Sequence, residues 1–377
     1  MIFKRIIVSI IFLLTTSLVS QEINIPENIT KSYNDHQYIY FFTKNNYFKV
    51  DVASYNISKP IEFNNNGFDI NNFTPIKIND VFYFVQNVGG LVLELNKNDL
   101  KRIDNSFNHK MQIASTIFRY NNEIYRYGGY GYFSAREFIV KFDFETNEWE
   151  SVKVNGELIP PARFSNAFSI DENNLTIIGG TTVDRYNREK RVRLTDMWQF
   201  SFEELKWSFL LDSEEIQPID YEAFKFDNKI FFREGNYLKS LNLDSFELSN
   251  NNLTNALLKV SKRFKIHYFD GSFHFVVDRN NGERVLISRT KKELLGTPKF
   301  LKSLENKNLL SFNNLIITGL LLFVIITIFF LRRYFNSVIL KTNKIKYRNK
   351  TVFISEEEYL VLKEFFRNQN SLENNIL

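Results

Sequence analysis

Histidine and cysteine are the residues first expected in a metal or nucleophilic site, and this chain has four histidines and no cysteine. The histidines are scattered along the chain, without the short spacing that metal ligands usually have. They are His36, His109, His267 and His274. Only the last two are close enough to lie on neighbouring strands. The sequence therefore predicts surface or core histidines, with no metal site and no cofactor.

Known catalytic motifs are also missing from the sequence. It contains no Gly-x-Ser-x-Gly elbow, no phosphate-binding loop and no His-Glu-x-x-His pair. Asp184, Glu189 and Asp196 could form a carboxylate pair in space, but a solvated loop is the simpler interpretation. The sequence therefore leaves enzymatic activity undecided and favours binding over catalysis.

Tyrosine and arginine cluster in two loops, which are the best candidates for a binding surface. These residue types anchor interfaces because each combines a large contact area with a polar group. The candidate ligand-binding residues are Tyr130, Tyr132, Arg136, Arg185, Tyr186 and Arg188. We expect Tyr132, Arg185 and Arg188 to contribute to a partner site. Solvated turns without a partner are the alternative for both loops.

The same order of elements positions each candidate loop. Glu123 to Gly129 and Asn174 to Gly180 each have the pattern of a hydrophobic strand that ends in a glycine pair. A polar loop, a second strand, an acidic turn and a tryptophan follow in both segments. Paired glycines permit positive φ and a close neighbouring backbone, and a tryptophan can fill the space between adjacent sheets. The predicted structural residues are Gly128, Gly129, Trp149, Gly179, Gly180 and Trp207.

These two segments resemble the kelch repeat, whose period is roughly 50 residues. The resemblance implies an all-β fold, a kelch-type β-propeller similar to the central domain of galactose oxidase. Weaker copies extend the array over residues 33–302, and in every copy the strand that precedes the glycine position serves as the anchor. The anchor residues are Tyr38, Val81, Ile124, Leu175, Ile230 and Phe273. We expect six or seven blades. An ordinary hairpin of another β fold is the alternative for the glycine motif.

The resemblance also implies a binding platform, because the loop after the glycine pair lies on a binding face in kelch relatives. Galactose oxidases hold copper with His and Tyr ligands, one Tyr being cross-linked to a cysteine that this chain lacks. We therefore predict a ligand-binding or protein-binding module, with an unknown protein or glycan as its partner. A carbohydrate-active propeller enzyme and a scaffold for an envelope complex are the alternatives.

The ends of the chain predict its location. Residues 1–20 have the basic start, apolar run and small residues of a secretory signal peptide. Residues 315–331 form an uncharged apolar run just long enough to cross a bilayer, and two arginines follow directly. We therefore expect a single-pass protein of the cell membrane, with residues 21–310 as an extracytoplasmic propeller and residues 332–377 as a cytoplasmic tail. A buried helix of a soluble domain is the alternative for the apolar run.

The tail has a pattern of its own. It predicts a hairpin over residues 346–354, then a helix that begins after Ser355, has a capping box completed by Glu358, and ends at residues 368–370. This order is similar to the opening of a response-regulator winged helix, but the sequence stops before a recognition helix. The tail is therefore expected to be the remnant of a winged helix, a truncated winged helix that is part of a sensor, or a helix beside the membrane.

Charge argues against a nucleic-acid partner. The chain has a formal net charge of +5. The tail contributes +4 and the signal segment +2, so the rest of the chain has a net charge of −1. A nearly neutral propeller has no electrostatic means of holding a polyanion. The abundance of Asn, Lys, Ile and Phe is typical of a bacterium of the Bacteroidetes type, with low genomic GC content.

Overall fold

The structure is a computed structural model that describes most of the 377 residues. The described ranges are 22–106, 112–218, 223–234, 237–252, 264–280, 282–295, 299–304, 319–330, 339–342, 344–347 and 350–373. The predicted signal segment 1–20 lies outside the described residues, as does His109. The chain divides into two compact units, Met1–Asn306 and Lys307–Leu377.

The first unit is built from antiparallel sheets whose strands mostly follow one another along the chain. The N-terminal strand is β1 (Glu22–Ile25). Sheet 1 contains β2 (Lys31–Asn34), β3 (Tyr38–Phe42), β4 (Asn46–Asp51), β5 (Asn56–Ile57) and β6 (Ile61–Glu62). Sheet 2 follows a 3-10 turn (Ile70–Asn72) and contains β7 (Phe73–Ile78), β8 (Val81–Gln86), β9 (Val92–Asn96) and β10 (Asp99–Arg102).

The two strong repeats form the next two sheets. Sheet 3 contains β11 (Thr116–Tyr120), β12 (Glu123–Tyr127), β15 (Ile139–Asp143) and β16 (Glu148–Ser151), with a small hairpin of β13 (Tyr130–Gly131) and β14 (Ser134–Ala135) between its middle strands. Sheet 4 contains β17 (Ala167–Ile170), β18 (Asn174–Val183), β19 (Arg191–Ser201) and β20 (Lys206–Asp212).

The last two sheets bring distant parts of the unit together. Sheet 5 contains β21 (Ala223–Phe226), β22 (Lys229–Glu234), β23 (Tyr237–Asn242), β24 (Glu247–Asn252) and, at its edge, β28 (Lys299–Ser303). Sheet 6 contains β25 (His267–Phe269), β26 (Ser272–Asp278) and β27 (Arg284–Thr290), which a short helix α1 (Lys291–Leu295) follows. Its fourth strand is β1, which pairs with β27 so that Glu22 lies opposite Ile287.

All six strands marked by the anchor residues are present, and each is the second strand of its sheet. These strands have neighbours on both edges and packed residues on both faces, so their apolar residues are consecutive instead of alternating. In β3, for example, every residue from Ile39 to Phe42 is buried. The prediction of an all-β fold is therefore confirmed for the first unit.

The hydrophobic core of this unit lies between the sheets. One cluster of buried residues joins each sheet to the next, for example Phe42 of sheet 1 to Phe84 of sheet 2. The clusters continue through the series, and a further one joins sheet 5 to sheet 6. Another joins sheet 6 back to sheet 1, through contacts that include Ile23 and Phe41. This packing fits a β-propeller-like protein.

The second unit contains a three-stranded sheet of β29 (Ile339–Lys341), β30 (Lys344–Tyr347) and β31 (Lys350–Phe353), followed by α2 (Glu356–Glu373). The capping box is present, because the Ser355 N–H donates to Glu358 Oε2 at 2.8 Å and the Glu358 N–H donates to Ser355 Oγ at 3.2 Å. The helix does not end at residues 368–370 as expected but continues to Glu373, because polar residues on an exposed helix need not break it.

The predicted membrane span, residues 315–331, is described only over residues 319–330, which are helical. Among the residues that the structure describes, no helix is both long enough and apolar enough to cross a membrane. The large apolar side chains of residues 319–330 are exposed, for example Phe323 at 68% and Ile325 at 64%.

Candidate functional site

The loop after the first glycine pair ends in an exposed aromatic turn. The strands β13 and β14 pair Gly131 with Ser134, so Tyr132 and Phe133 form the two-residue connection between them. Tyr132 is 72% exposed and Phe133 65% exposed. Both residues have positive φ, 50° and 57°. We call this pair the aromatic tip.

The residue types of the aromatic tip are unusual for this backbone. A bulky side chain in the left-handed region is strained, at a cost on the order of 1 kcal/mol for each residue. Other described turns with two successive positive-φ residues end in Asn, Asp or Gly, which tolerate this conformation. They are Asn66–Gly67, Asn79–Asp80, Lys97–Asn98, Asn121–Asn122, Asp227–Asn228 and Asp270–Gly271. The aromatic tip therefore keeps side chains that its turn geometry disfavours.

The loop after the second glycine pair is shorter than the sequence suggests, because residues 181–183 and Arg191 extend the strands β18 and β19. Residues 184–190 form the connection. Thr181 pairs with Arg193, and Val183 with Arg191. A register shift between Ile178 and Gly180 bends the hairpin at the glycine pair. The β-branched residues beyond this bend favour a strand, which explains the difference. We call residues 180–194 the basic hairpin.

The end of the basic hairpin presents Arg185, Tyr186 and Arg188 to solvent, and Tyr186 is 92% exposed. Asp184 holds the turn, because its Oδ1 accepts the N–H groups of Tyr186 and Asn187, each at 2.9 Å. These hydrogen bonds lower the pKa of the Asp184 carboxyl below its ordinary value, with that from Asn187 contributing most. The carboxylate is therefore directed at the backbone of its own turn.

One arginine joins the two loops. The Arg191 guanidinium lies 4.4 Å from the centre of the Tyr130 ring and 4.9 Å from that of Phe164. The rings of Tyr130 and Phe164 are 5.1 Å apart. Stacking of a guanidinium on aromatic faces is favourable and leaves its edges free for other partners. The aromatic tip and the basic hairpin therefore form one surface, which we call the loop face.

Arg136 is the one candidate residue that supports the loop face from below. Its N–H donates to Gly129 O at 2.8 Å, and its carbonyl accepts the N–H of Arg163 at 2.9 Å. Its side chain is only partly exposed, and its Nη2 lies 3.5 Å from Gly131 O. The structure therefore exposes Tyr132, Arg185, Tyr186 and Arg188. Tyr130 is half-buried in the stack with Phe164 and Arg191, and Arg136 lies in the support.

The glycine pairs allow this support to pack closely. Gly128 and Gly129 have φ of 67° and 111°. A Cβ atom on Gly128 would lie 2.5 Å from Arg163 O, and one on Gly129 would lie 2.8 Å from Gln112 Cα. Gly179 and Gly180 also have positive φ and similarly close neighbours. Only glycine fits these positions.

A buried ion pair fixes the base of the basic hairpin. Arg163 is fully buried, and its Nη1 and Nη2 donate to the two carboxylate oxygens of Asp196, each at 2.8 Å. Arg163 also donates to Gly179 O at 2.9 Å, and the Trp198 indole donates to Asp196 at 2.7 Å. Both charges are paired and hydrogen-bonded, so these contacts hold the two strands of the hairpin in a fixed position at its base.

The tryptophans of the two motifs lie between neighbouring sheets. Trp149 of sheet 3 donates its indole N–H to Gly90 O of sheet 2 at 2.7 Å. Trp207 of sheet 4 packs against Tyr127 of sheet 3, with ring centres 5.2 Å apart. Arg126 is fully buried beside Trp149, and its Nη1 donates to Gln112 Oε1 at 3.0 Å. Burial lowers the Arg126 pKa to about 9.

Two histidines are buried at the contact between sheets 6 and 1. The ring of His267 lies 2.7 Å from Asn34 Nδ2 and 3.1 Å from Ser32 Oγ, and His274 Nδ1 lies 2.8 Å from Ser288 Oγ. A neutral ring with its proton on Nε2 accepts from Asn34 and donates to Ser32. Among the described residues, no group of three or more His, Asp or Glu could hold a metal ion.

Sequence reasoning missed two residues of the loop face, Phe133 and Arg191. Phe133 lies beside Tyr132 in the predicted loop, and two aromatic residues at a hairpin turn are the signal that identifies it. No sequence signal identifies Arg191, because its stacking partner Phe164 belongs to a different segment of the chain.

No protein-family profile matches this chain, and no curated protein matches it. Among solved structures, the chain is similar to one titled "Structure of YjhT", with 14% sequence identity and a TM-score of 0.48. The similarity covers 75% of this chain and 100% of that chain.

Proposed function

We propose that this protein is a membrane-anchored binding module, whose first unit is a six-bladed propeller of the kelch type and whose loop face holds a protein partner outside the cytoplasm. The kelch-like glycine and tryptophan pattern supports the repeat type. The core clusters that join each sheet to the next, and sheet 6 to sheet 1, support six blades. The apolar run 315–331 and its basic flank support the anchor.

The aromatic tip is the observation that carries the binding proposal. Tyr132 and Phe133 stabilise no core, since both are exposed, and their positive φ costs energy. Strain at an exposed position persists where the side chains have a function. Exposed aromatic residues beside arginines are the composition of interface hot spots. Binding through these side chains therefore accounts for both their exposure and their strain.

Replacing the aromatic tip with the residues that its turn prefers separates folding from binding. In the double variant Tyr132→Asn/Phe133→Gly we expect the free energy of unfolding to stay the same or rise by about 1 kcal/mol, because the strain is relieved. We expect the amount of the proteins that co-purify with the full-length chain from membranes of the producing cells to fall at least tenfold. Quantitative mass spectrometry measures this amount.

The matched control introduces the same turn at the other end of a neighbouring sheet. Lys97→Asn/Asn98→Gly changes the turn between β9 and β10, and it should leave co-purification unchanged. If the tip variant co-purified the same proteins in amounts equal to those of the wild type, the proposal would be contradicted. A tip variant less stable than the wild type by more than 1 kcal/mol would show that the aromatic residues serve the fold.

A further inference from the structure

The basic hairpin carries more positive charge than its own surroundings neutralise. Between Asp184 and Arg193 it has five cationic and two acidic residues. Asp184 is occupied by its own turn, and Arg185, Arg188 and Lys190 are exposed. Lys190 lies within electrostatic reach of the Asp184 carboxylate. Within the described part of the chain, neither Arg185 nor Arg188 forms an ion pair with a carboxylate. Elsewhere in the first unit, lysines reach carboxylates, as Lys77 does with Asp35 and Lys225 with Asp171.

This surplus is local, because the chain between the signal segment and the tail is nearly neutral. That portion carries a net charge of −1. Hence the hairpin is a basic projection on a neutral body, and not part of a basic track that follows a long polyanion. Arg185 and Arg188 each offer a planar fork of donors that matches a carboxylate.

The shape of the loop face selects the size of its partner. Tyr132, Phe133 and Tyr186 are 72%, 65% and 92% exposed, so they project outwards and do not line a cavity. A small ligand needs a concave site that buries most of its surface. Projecting aromatic side chains gain burial only when the partner supplies the cavity. The partner is therefore large enough to have a pocket of its own.

We infer that the partner of the loop face is a protein with an apolar pocket bordered by Asp and Glu side chains. This inference rests on the proposed binding function and adds the chemistry of the partner to it. The aromatic tip enters the pocket, while Arg185 and Arg188 pair with carboxylates at its rim. Arg191 holds the hairpin beside the tip through its stack on Tyr130, at 4.4 Å.

Photo-crosslinking in the producing cells tests this inference on the full-length chain. The photoreactive amino acid p-benzoylphenylalanine replaces Phe133, and mass spectrometry identifies the attached peptide. We expect a protein adduct whose crosslinked segment is rich in Asp and Glu. The matched control places the same residue at Phe144, which is 36% exposed at the other end of sheet 3. We expect no such adduct there.

Charge reversal then decides the role of the arginines. Arg185→Glu/Arg188→Glu should lower the adduct yield at Phe133 at least fivefold, because like charges repel at the pocket rim. Lys97→Glu/Lys101→Glu makes the same charge change on exposed residues of sheet 2 and should leave the yield within twofold. Thermal unfolding of each variant confirms that it folds.

Each other outcome has a distinct meaning. A protein adduct that survives the arginine reversal would overturn the acidic partner and leave the proposed binding function standing. An adduct with a polysaccharide would overturn the inference of a protein partner. Equal adducts at Phe133 and Phe144, or none at Phe133, would overturn both this inference and the proposed function.

Discussion

At the scale of single residues, buried arginines organise the support of the loop face. Arg163 meets a carboxylate in two hydrogen bonds, whereas Arg126 is held by Gln112 and backbone oxygens beside Trp149. A buried cation is costly unless it finds hydrogen-bond partners, and both arginines find theirs through Nη1 and Nη2. These residues therefore tolerate little change around them. Their rigidity is useful because loops bind best when a fixed scaffold orients them.

Removing the carboxylate of Asp196 tests this support. In Asp196→Ala, Arg163 stays buried without its counter-charge and Trp198 loses its acceptor, so we expect the free energy of unfolding to fall by about 3–5 kcal/mol. Urea unfolding followed by tryptophan fluorescence measures the change. Replacing both partners, as Arg163→Met/Asp196→Leu, should recover part of the loss. A single variant within 1 kcal/mol of the wild type would contradict this role of the ion pair.

At the scale of elements, the contact between sheets 6 and 1 is where the N-terminal strands meet the last of the six sheets. β1 pairs with β27, and the His267 ring contacts Ser32 and Asn34 of β2. His267 is 4% exposed and His274 is 3% exposed. Burial, and next the positive charge of Lys265, lowers the His267 pKa to about 3. Burial lowers the His274 pKa to about 4.

These pKa shifts predict an acid-sensitive contact. An unfolded histidine takes up a proton near pH 6.5, but folded His267 resists it down to about pH 3. The contribution of the buried neutral rings to the free energy of unfolding is therefore fully present above pH 6.5. It falls as the pH drops through this window, by up to about 1.4 kcal/mol per pH unit for each histidine. Urea unfolding between pH 4 and 7.5 measures the slope, which His267→Gln should reduce.

The exposed His36 provides the control for this measurement. His36→Gln should change the slope much less than His267→Gln does. His36 is exposed, and its charge contributes less to the lowered His267 pKa than burial, Lys265 and His274 do. His274 and the carboxylates also contribute to the pH dependence of the free energy of unfolding in every variant. The slope of each variant is therefore compared with that of the wild type. An unchanged slope in His267→Gln would show that this histidine does not make the contact acid-sensitive.

At the scale of the whole molecule, the proposed topology places the propeller, residues 21–310, and the tail, residues 332–377, on opposite sides of a membrane. The absence of cysteine makes this testable without background labelling, since any introduced cysteine is unique. Tyr186→Cys lies on the exposed loop face, and Glu357→Cys lies on the exposed first turn of α2. Both positions react readily if the reagent reaches them.

A membrane-impermeant maleimide reports the side of each cysteine. In spheroplasts with an intact inner membrane we expect the reagent to label Tyr186→Cys and not Glu357→Cys. After lysis we expect it to label both. Resistance of the full-length chain to extraction with alkaline carbonate provides the control for membrane integration. Equal labelling of the two cysteines in these spheroplasts would overturn the proposed topology.

Much of the element level was predictable from the sequence, because strands and turns follow from neighbouring residues. Consecutive apolar residues such as Ile39 to Phe42 marked the second strand of each sheet, and Ser355 with Glu358 marked a helix start. The acidic turn at Asp143 was equally local: its Oδ1 accepts the Glu145 N–H at 2.9 Å. The glycine pairs marked positions where only a residue without Cβ fits.

The sequence by itself thus determined the all-β elements of the first unit, their order and the two loops that stand out by composition. Only the tertiary structure decided that β1 joins β27, that Arg136 lies beneath the loop face, and that Phe133 and Arg191 belong to it. The physical reason is range: backbone conformation depends on residues a few positions apart. Exposure, stacking and strand pairing depend on segments that meet only when the chain is folded.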